Sequence, residues 1–211
     1  MSAELLKISP QNPDAKLVQY AAQFISRGKV VAIPTDTFYG LAADPFNLSA
    51  VEQIYRIKGR PESRALPILV NSVEQAATMV RSIPTSFLQL AEKFWPGALT
   101  IVMEASYRLP LKVTGNTGRV ALRMPNAQVV WALIEAAGGP ITGTSANLSG
   151  HPSCTNADLL LAQLGERVPL ILDAGETGAV MASTILDLRD DGWRIVREGR
   201  ISEEDIRAAL S

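Results

Sequence analysis

The sequence has almost none of the side chains that build disulfides, metal sites or nucleophilic triads. Its 211 residues include a single cysteine, Cys154, and a single histidine, His151. A lone thiol excludes an intramolecular disulfide framework and suits a reducing compartment. Two potential soft ligands three positions apart do not make a zinc site, and one histidine so placed leaves no plausible Ser–His–Asp or Cys–His arrangement. We therefore interpret both as loop residues and expect no metal ligands in this chain.

Membrane segments and a strong charge of one sign are also missing. Residues 1–13 lack the charged start and apolar run of a signal peptide, and no apolar stretch approaches the roughly 20 residues that span a bilayer. The formal net charge is −1, whereas a dedicated nucleic-acid binder usually carries a basic excess. We expect a soluble, cytoplasmic protein with no membrane partner, in which any RNA contact is weak and comes from a local patch.

What the sequence does have is the composition of a packed globular protein. Apolar residues make up 47% and charged residues 19% of the chain. This length sits at the upper end of one ordinary domain, so we expect a single domain spanning residues 1–211. Short apolar runs alternate with amphipathic segments, which indicates an α/β sheet covered by helices but leaves strand order and direction open.

The pattern also gives approximate element positions. Three helices begin at capping signals, formed by Ser49 with Glu52, Ser72 with Gln75, and Ser202 with Asp205. Further helices are predicted from about 17 to a stop at Gly28, and at 86–94, 128–137 and 157–164. Strands are predicted at 30–34, 66–70, 99–103, 120–124 and 140–144, and near 170, 185 and 195.

Three polar or basic groups are left unexplained by the core pattern. The first follows a buried strand, where Thr35, Asp36 and Thr37 offer hydroxyl and carboxylate partners for a small polar ligand. A turn closed by local side-chain to backbone bonds explains the same residues equally well.

The second group is basic and surrounds the end of a predicted helix. Arg56 and Lys58 suit the last turn of that helix because they complement its dipole. Arg60 and Arg64 lie beyond the helix on either side of Pro61. These two and the two cations of the helix repel one another unless an anion binds between them. Polyphosphate is the obvious anion, and a solvated charged face is the alternative.

The third group, residues 143–150, is rich in glycine and hydroxyls and follows a predicted strand. Such a loop can present backbone N–H groups to phosphate oxygens, although it is neither a Walker A sequence nor a dinucleotide-binding fingerprint. Arg119 and Arg123 flank another strand and can clamp a carboxylate or a nucleotide, or protect a sheet edge. Ser183 precedes an apolar strand and is either a ligand residue or a turn residue.

Taken in order, these segments resemble the threonylcarbamoyl-adenylate synthases of the YrdC/Sua5/TsaC family. The resemblance extends over nearly the whole chain and is specific because six motifs occur in family order. They are Pro34-Thr35-Asp36-Thr37-Phe38-Tyr39-Gly40-Leu41, Lys58-Gly59-Arg60-Pro61, Trp95-Pro96-Gly97-Ala98-Leu99-Thr100, Arg123-Met124-Pro125, Ser145-Ala146-Asn147 and Ser183-Thr184-Ile185.

The resemblance implies a YrdC-like fold, a twisted, mostly open mixed β-sheet flanked by helices with a central cleft. It implies that the carbamate of L-threonine, formed with bicarbonate, attacks the α-phosphate of ATP to give threonylcarbamoyl-AMP and pyrophosphate, with Mg²⁺ accompanying the triphosphate. A threonylcarbamoyl-transferase complex then modifies adenosine 37 of tRNA. Some relatives carry an additional C-terminal domain, and we expect this chain to be the short form.

The resemblance also implies residue roles. Lys58 and Arg60 correspond to catalytic residues. Threonine is expected to contact Thr37, Arg123, Gly143 and Ser183. ATP is expected to contact Lys58, Arg60, Arg64, Arg119, Ser145, Asn147, Ser153 and Arg197. Leu69 departs from the pattern, because some relatives place a histidine there, beside threonine.

Three alternatives stand beside the synthase. One is a non-enzymatic RNA-binding or ribosome-maturation factor of the same fold, which the net charge and the lack of interleaved aromatics disfavour. Another is a carbamoyl-transfer enzyme that contains a domain of this type, disfavoured because the chain has no CxxC pair. The third is an inactive homologue, which the presence of Lys58, Arg60, Ser145 and Asn147 disfavours.

Overall fold

The computed structural model describes residues 3–211 and has the predicted α/β character. Its strands are β1 (Glu4–Lys7), β2 (Val31–Ile33), β3 (Gly40–Ala42), β4 (Ile68–Leu69), β5 (Leu99–Glu104), β6 (Arg119–Arg123), β7 (Ile141–Thr142), β8 (Thr144–Ser145), β9 (Leu170–Asp173), β10 (Thr184–Arg189) and β11 (Gly192–Arg197). Its helices are α1 (Ala15–Ser26), α2 (Leu48–Lys58), α3 (Val73–Met79), α4 (Thr85–Phe94), α5 (Gln128–Ala137), α6 (Ala157–Leu164) and α7 (Glu203–Ala209), with a 3₁₀ turn at Gly165–Arg167.

The strands form two open, mixed sheets. The first has five strands in the order β1-β9-β2-β3-β8, parallel from β1 to β2 and antiparallel from β2 to β8. The second has six strands in the order β11-β10-β5-β6-β4-β7 and alternates between antiparallel and parallel neighbours. The expected open, mixed character is therefore confirmed, and the strands are divided between two surfaces that can face a common cleft.

Gly143 joins these two sheets. It is the single residue between β7, which ends the second sheet, and β8, which ends the first. Its N–H donates to the Pro67 carbonyl at 2.8 Å. A β-carbon at this position would lie 2.3 Å from Cγ of Leu69, so a larger residue would collide with that side chain. The junction therefore depends on glycine because two chain segments approach each other closely.

The first sheet is covered on both faces, as the period of two along its strands requires. Val31 and Ile33 of β2 point into a core shared with α1 and α5, whereas Ala32 between them belongs to the larger core on the other face. All three are fully buried. Since complete burial of a valine or isoleucine stabilises a fold by about 1.5–3 kcal/mol, this alternation fixes the sheet against its helices.

Several sequence predictions are confirmed residue by residue. The helices predicted at 128–137 and 157–164 have those bounds in the structure. Ser202 and Asp205 form the expected capping box, and Ser72 Oγ accepts a hydrogen bond from the Gln75 N–H at 3.1 Å.

Other predictions were wrong. Ser49 and Glu52 do not cap α2, because Asn47 occupies the cap and its Oδ1 accepts from the Ala50 N–H at 3.2 Å. Glu52 instead accepts from Lys112 at 2.6 Å. The single strand predicted at 140–144 is two short strands broken at Gly143, and β1 and β3 were not predicted.

Within residues 3–211, the structure has no helix whose length and apolar character would let it cross a bilayer.

Candidate active site

A cavity of about 360 Å³ lies between the two sheets. Its lining includes Thr35 and Ser145 from the first sheet and its loops, and Leu69, Thr100 and Arg123 from the second. Nine of the predicted site residues line it: Thr37, Arg60, Arg64, Arg123, Gly143, Ser145, Ser153, Ser183 and Arg197. Among the described residues, its walls contain four arginines and neither aspartate nor glutamate. Such a cavity favours anionic ligands.

Arg123, at the end of β6, is the most tightly held of these arginines. Its Nε donates to the Gly97 carbonyl at 2.9 Å, Nη1 to Thr37 Oγ1 at 2.8 Å, and Nη2 to Asp36 Oδ1 at 2.6 Å. Burial lowers the pKa of Arg123, and the Asp36 carboxylate partly offsets this effect. A guanidinium has five N–H groups, so one on each terminal nitrogen stays available to a ligand.

The segment after β2 is both a locally hydrogen-bonded turn and part of the cavity wall, the two interpretations that the sequence left open. Thr35 Oγ1 donates to the Phe38 carbonyl at 2.7 Å and accepts from the Thr37 N–H at 3.1 Å, which closes a local turn. The turn presents the Thr37 hydroxyl to the cavity beside Arg123. Asp36 does not line the cavity and pairs with Arg123 instead.

Ser183 and Arg197 form the wall contributed by β10 and β11. Arg197 Nη2 donates to the Ser183 carbonyl at 2.6 Å and to its Oγ at 3.1 Å. The Ser183 hydroxyl also hydrogen-bonds Thr100 Oγ1 at 2.9 Å. The pKa of Arg197 is lowered by burial and by the positive charge of Arg123. Two like charges thus face one cavity, and a bound anion would relieve their repulsion.

Arg60 and Arg64 lie at the mouth of the cavity, beyond the end of α2. Gly59 ends that helix in the left-handed conformation, with φ of 57°, and turns the chain toward the cavity. Arg60 donates to Thr144 Oγ1 at 3.2 Å and to the Ala65 carbonyl at 2.9 Å, while its buried Nε has no partner among the described residues. Burial, together with Arg64, lowers the pKa of Arg60.

Arg64 is exposed, and its guanidinium makes no hydrogen bond or ion pair with the described part of the chain. A cavity-lining cation without a partner is free to pair with a ligand anion.

Lys58, an expected ATP contact, is packed inside the protein. It is 3% exposed and does not line the cavity. Its Nζ donates to the Ser145 carbonyl, to the Asn147 carbonyl at 2.8 Å and to Asn147 Oδ1 at 3.3 Å. Burial, and secondarily Arg60, lowers its pKa to about 8. All three donors of Lys58 are therefore used within the protein, where they hold the loop that contains Ser145 and Asn147.

Asn147 also lies behind the cavity wall. Its Nδ2 donates to the carbonyls of Leu148 at 2.9 Å and His151 at 2.6 Å. Asn147 and Lys58 together fix the backbone around Ser145. Ser145 itself lines the cavity. In this structure Asn147 and Lys58 position the binding surface and do not form it.

Arg119 is likewise not brought into the cavity. Its Nη2 donates to Asp187 Oδ1 at 2.5 Å and to the carbonyls of Leu188 at 2.7 Å and Val102 at 3.3 Å. Asp187 holds this side chain at the opposite end of β6 from Arg123.

Two hydroxyls at the site, on Thr100 and Thr144, had no role assigned to them from the sequence. Thr144 accepts from Arg60, and Thr100 hydrogen-bonds Ser183. Thr100 lies in β5 two positions from Val102, and both line the cavity, as the period of two predicts. The alternation of side chains along β5 was therefore the sequence signal that could have placed Thr100 at the site.

Comparisons with known proteins agree with this geometry. The family model for Sua5, YciO and YrdC, described as telomere recombination, matches residues 23–199. A Pyrococcus abyssi protein named threonylcarbamoyl-AMP synthase is 38% identical over 92% of this chain and 57% of its own length. A Vibrio cholerae protein of the same name is 34% identical over 86% of this chain and 97% of its own length.

The solved structures include P. abyssi Sua5 complexed with L-threonine, which superimposes with a TM-score of 0.94 at 36% identity and covers 98% of this chain and 60% of that one. The chain thus spans less than two thirds of the P. abyssi protein. Because the family model extends over most of the chain and the fold matches almost throughout, this chain belongs to the Sua5/YciO/YrdC family.

Proposed function

We propose that this protein is a threonylcarbamoyl-AMP synthase, a nucleotidyltransferase that acts on L-threonine, bicarbonate and ATP. The observation that carries the proposal is a cavity with four arginines and no carboxylate along its described walls. Two ligand anions, a carboxylate and a triphosphate, suit such a lining. The name of the P. abyssi relative and the threonine in the related structure support this choice of substrates.

The threonine half of the site is assigned to Arg123, Thr37, Ser183 and Gly143. The two N–H groups that Arg123 does not use inside the protein form a fork suited to the substrate carboxylate. Thr37 and Ser183 supply hydroxyls nearby, and Gly143 lines the same cavity.

The ATP half is assigned to Arg60, Arg64, Arg197, Ser145 and Ser153, which line the cavity. Lys58 and Asn147 act on ATP through the loop that they support. The described walls of the cavity offer no aspartate or glutamate to hold Mg²⁺. We therefore assign Mg²⁺ to the substrate, MgATP.

The residues needed for the reaction match those available. The threonine ammonium releases a proton to solvent, and the resulting amine condenses with bicarbonate to give a carbamate and water. A carbamate oxygen then forms a bond to the α-phosphorus while the bond to pyrophosphate breaks. The nucleophile is already anionic, so no side-chain base is required. The protein aligns two repelling anions and neutralises the charge that develops, which is the work of positioned arginines and backbone donors.

The product is a mixed anhydride that a downstream partner must consume. We assign that step to a threonylcarbamoyl-transferase complex acting on tRNA, with any direct RNA contact of this chain being weak. The net charge of −1 agrees with a minor role for RNA.

The test is a mass-spectrometric assay of the purified protein with MgATP, bicarbonate and L-threonine, with L-serine as the control substrate. We expect an adenylate that depends on bicarbonate and favours threonine. Arg60→Ala is expected to reduce kcat/KM for ATP by at least about tenfold. Arg56→Ala is the matched control, because Arg56 is exposed in the last turn of α2 and does not line the cavity.

Two results would overturn the proposal. One is folded protein that forms no adenylate, and salt-dependent RNA binding by the same sample would then favour the RNA-binding alternative. The other is an adenylate formed equally well from serine and threonine.

A further inference from the structure

Asp36 carries a largely buried carboxylate that the assigned substrate contacts leave without a role. Its side chain is 13% exposed and its Oδ1 lies 2.6 Å from Arg123 Nη2, whose own side chain is 8% exposed. Arg123 lines the substrate cavity, whereas Asp36 does not. Asp36 instead borders two other cavities, of about 460 Å³ and about 300 Å³. Its contact with the substrate cavity therefore runs through Arg123.

The contacts of Arg123 divide between fixed and free donors. Gly97, Thr37 and Asp36 take one N–H from each of its three nitrogens. The bond to Asp36 joins two opposite charges, whereas the acceptors of the other two bonds are neutral, so it is the strongest of the three. Without it, Nη2 would lose its one partner among the described residues, and the guanidinium could rotate about its Cδ–Nε bond toward other acceptors.

We propose that Asp36 is a positioning residue for substrate recognition, which holds Arg123 so that its free N–H groups face the carboxylate of the amino-acid substrate. This inference rests on the proposed function and adds a residue to it. Asp36 acts through Arg123 and does not touch the substrate. Its effect therefore belongs to the affinity for a carboxylate-bearing ligand and not to ATP.

The experiment compares Asp36→Ala and Asp36→Asn with the wild-type protein. Asparagine keeps an oxygen that can accept from Nη2, whereas alanine does not. For Asp36→Ala we expect the KM for threonine to rise at least tenfold while the KM for ATP stays within about twofold. For Asp36→Asn we expect a KM for threonine within about threefold of the wild-type value, because the geometry is retained.

A binding measurement without ATP separates positioning from a general loss of structure. Calorimetry compares threonine with threoninol, its analogue that lacks the carboxylate. We expect the preference of the wild-type protein for threonine to be lost in Asp36→Ala and kept in Asp36→Asn. Damage to the fold alone would weaken both ligands together. Asp187→Asn is the matched control, because it removes another buried carboxylate that pairs with an arginine of β6.

If Asp36→Ala does not fold, NMR of the arginine side chains in the wild-type protein decides the question. Resolved Nη signals for Arg123 that persist when threonine binds support a fixed guanidinium, and averaged signals contradict it. The proposal is also overturned if folded Asp36→Ala keeps the wild-type KM for threonine. A wild-type protein that binds no threonine and makes no adenylate would instead refute the proposed function itself.

Discussion

Arg119 and Arg123 stand at the two ends of β6, on the same face of the strand, and both pair with a buried aspartate. The surroundings of the two aspartates differ. Asp187 is 4% exposed and accepts from Arg119, from Arg189 at 2.9 Å and from Arg194 at 3.2 Å. Asp36 holds Arg123, which still has N–H groups directed at a cavity.

Both arginines pair with an aspartate, but only Arg123 also lines the substrate cavity, where its free N–H groups can meet a ligand. Burial alone would raise the pKa of Asp187, but the hydrogen bonds and charges of Arg189 and Arg119 keep it below the ordinary value. Asp187 is shared by three arginines and neither it nor Arg119 lines the substrate cavity, so we interpret this cluster as structural. The Arg123 pair has the same chemistry but borders the space for a ligand, so we interpret it as functional.

Arg123→Lys should give the largest loss of activity. A lysine ammonium is a point charge and cannot bond Gly97, Thr37 and Asp36 while offering a fork to a carboxylate. We expect kcat/KM for threonine to fall at least about hundredfold, equivalent to about 2.7 kcal/mol of transition-state stabilisation. Steady-state kinetics would show this, and a loss below threefold would remove Arg123 from the site.

Lys58→Met should come next, because it removes the support of the loop but not a cavity-lining group. We expect kcat/KM for ATP to fall about tenfold, with the KM for threonine little changed. Equal losses for both substrates would show that Lys58 does more than hold the loop around Ser145.

The lowered pKa of Lys58 adds a pH test. As pH rises through about 8, the ammonium becomes an amine with one donor fewer, so ATP affinity should decline. Stability should change in the opposite direction. The pKa of Lys58 in the folded protein lies below the ordinary 10.5, so the buried charge destabilises the fold at low pH. The free energy of unfolding should therefore rise between about pH 8 and 10.5, where only the unfolded chain keeps the proton.

Profiles of the KM for ATP against pH, measured for the wild type and Lys58→Met, check this. The variant should lack the inflection near pH 8, and identical profiles for the two proteins would contradict the assignment.

Asp187→Asn should affect stability more than activity. The substitution leaves Arg119, Arg189 and Arg194 without their shared carboxylate. We expect the free energy of unfolding to fall by about 2 kcal/mol. This is less than for a fully buried ion pair, because the arginines are partly exposed to solvent. In the wild type, these pairs stabilise the fold above the ordinary pKa of 3.8, and their contribution is lost as pH falls through the lowered pKa. Denaturant unfolding measures this, and wild-type stability in the variant would contradict the structural interpretation.

Arg119→Lys should have the smallest effect. We expect kcat/KM for both substrates to stay within about twofold, because the side chain lies outside the cavity. A tenfold loss for ATP, from protein of normal stability, would restore the nucleotide contact that the sequence suggested.

The sequence predicted elements whose signals are local. Ser202 and Asp205 cap α7 as expected because both partners lie within one turn. The start of α2 was misplaced because Asn47 and Ser49 are both good cap residues, and the approach of the preceding chain decides between them. The break at Gly143 was missed because it depends on pairing with two different sheets.

The candidate site was predicted in composition more than in geometry. Nine of the residues predicted for the site line one cavity. The motifs could not show that Lys58 passes beneath a loop 87 positions away in sequence, or that Asp187, 68 positions from Arg119, would hold that arginine. Both outcomes depend on strand order, which periodicity does not encode.

The close approach of Gly143 and Leu69 has a consequence for how this sequence can evolve. A side chain at position 143 would meet the branch point of Leu69 at 2.3 Å, and not the flexible end of a long side chain. Position 69 can therefore accept a smaller residue while Gly143 stays as it is. Position 143 can accept a larger residue only after position 69 has shrunk. Substitutions at the two positions are therefore expected to be coupled, with a change at position 69 easing a later change at position 143.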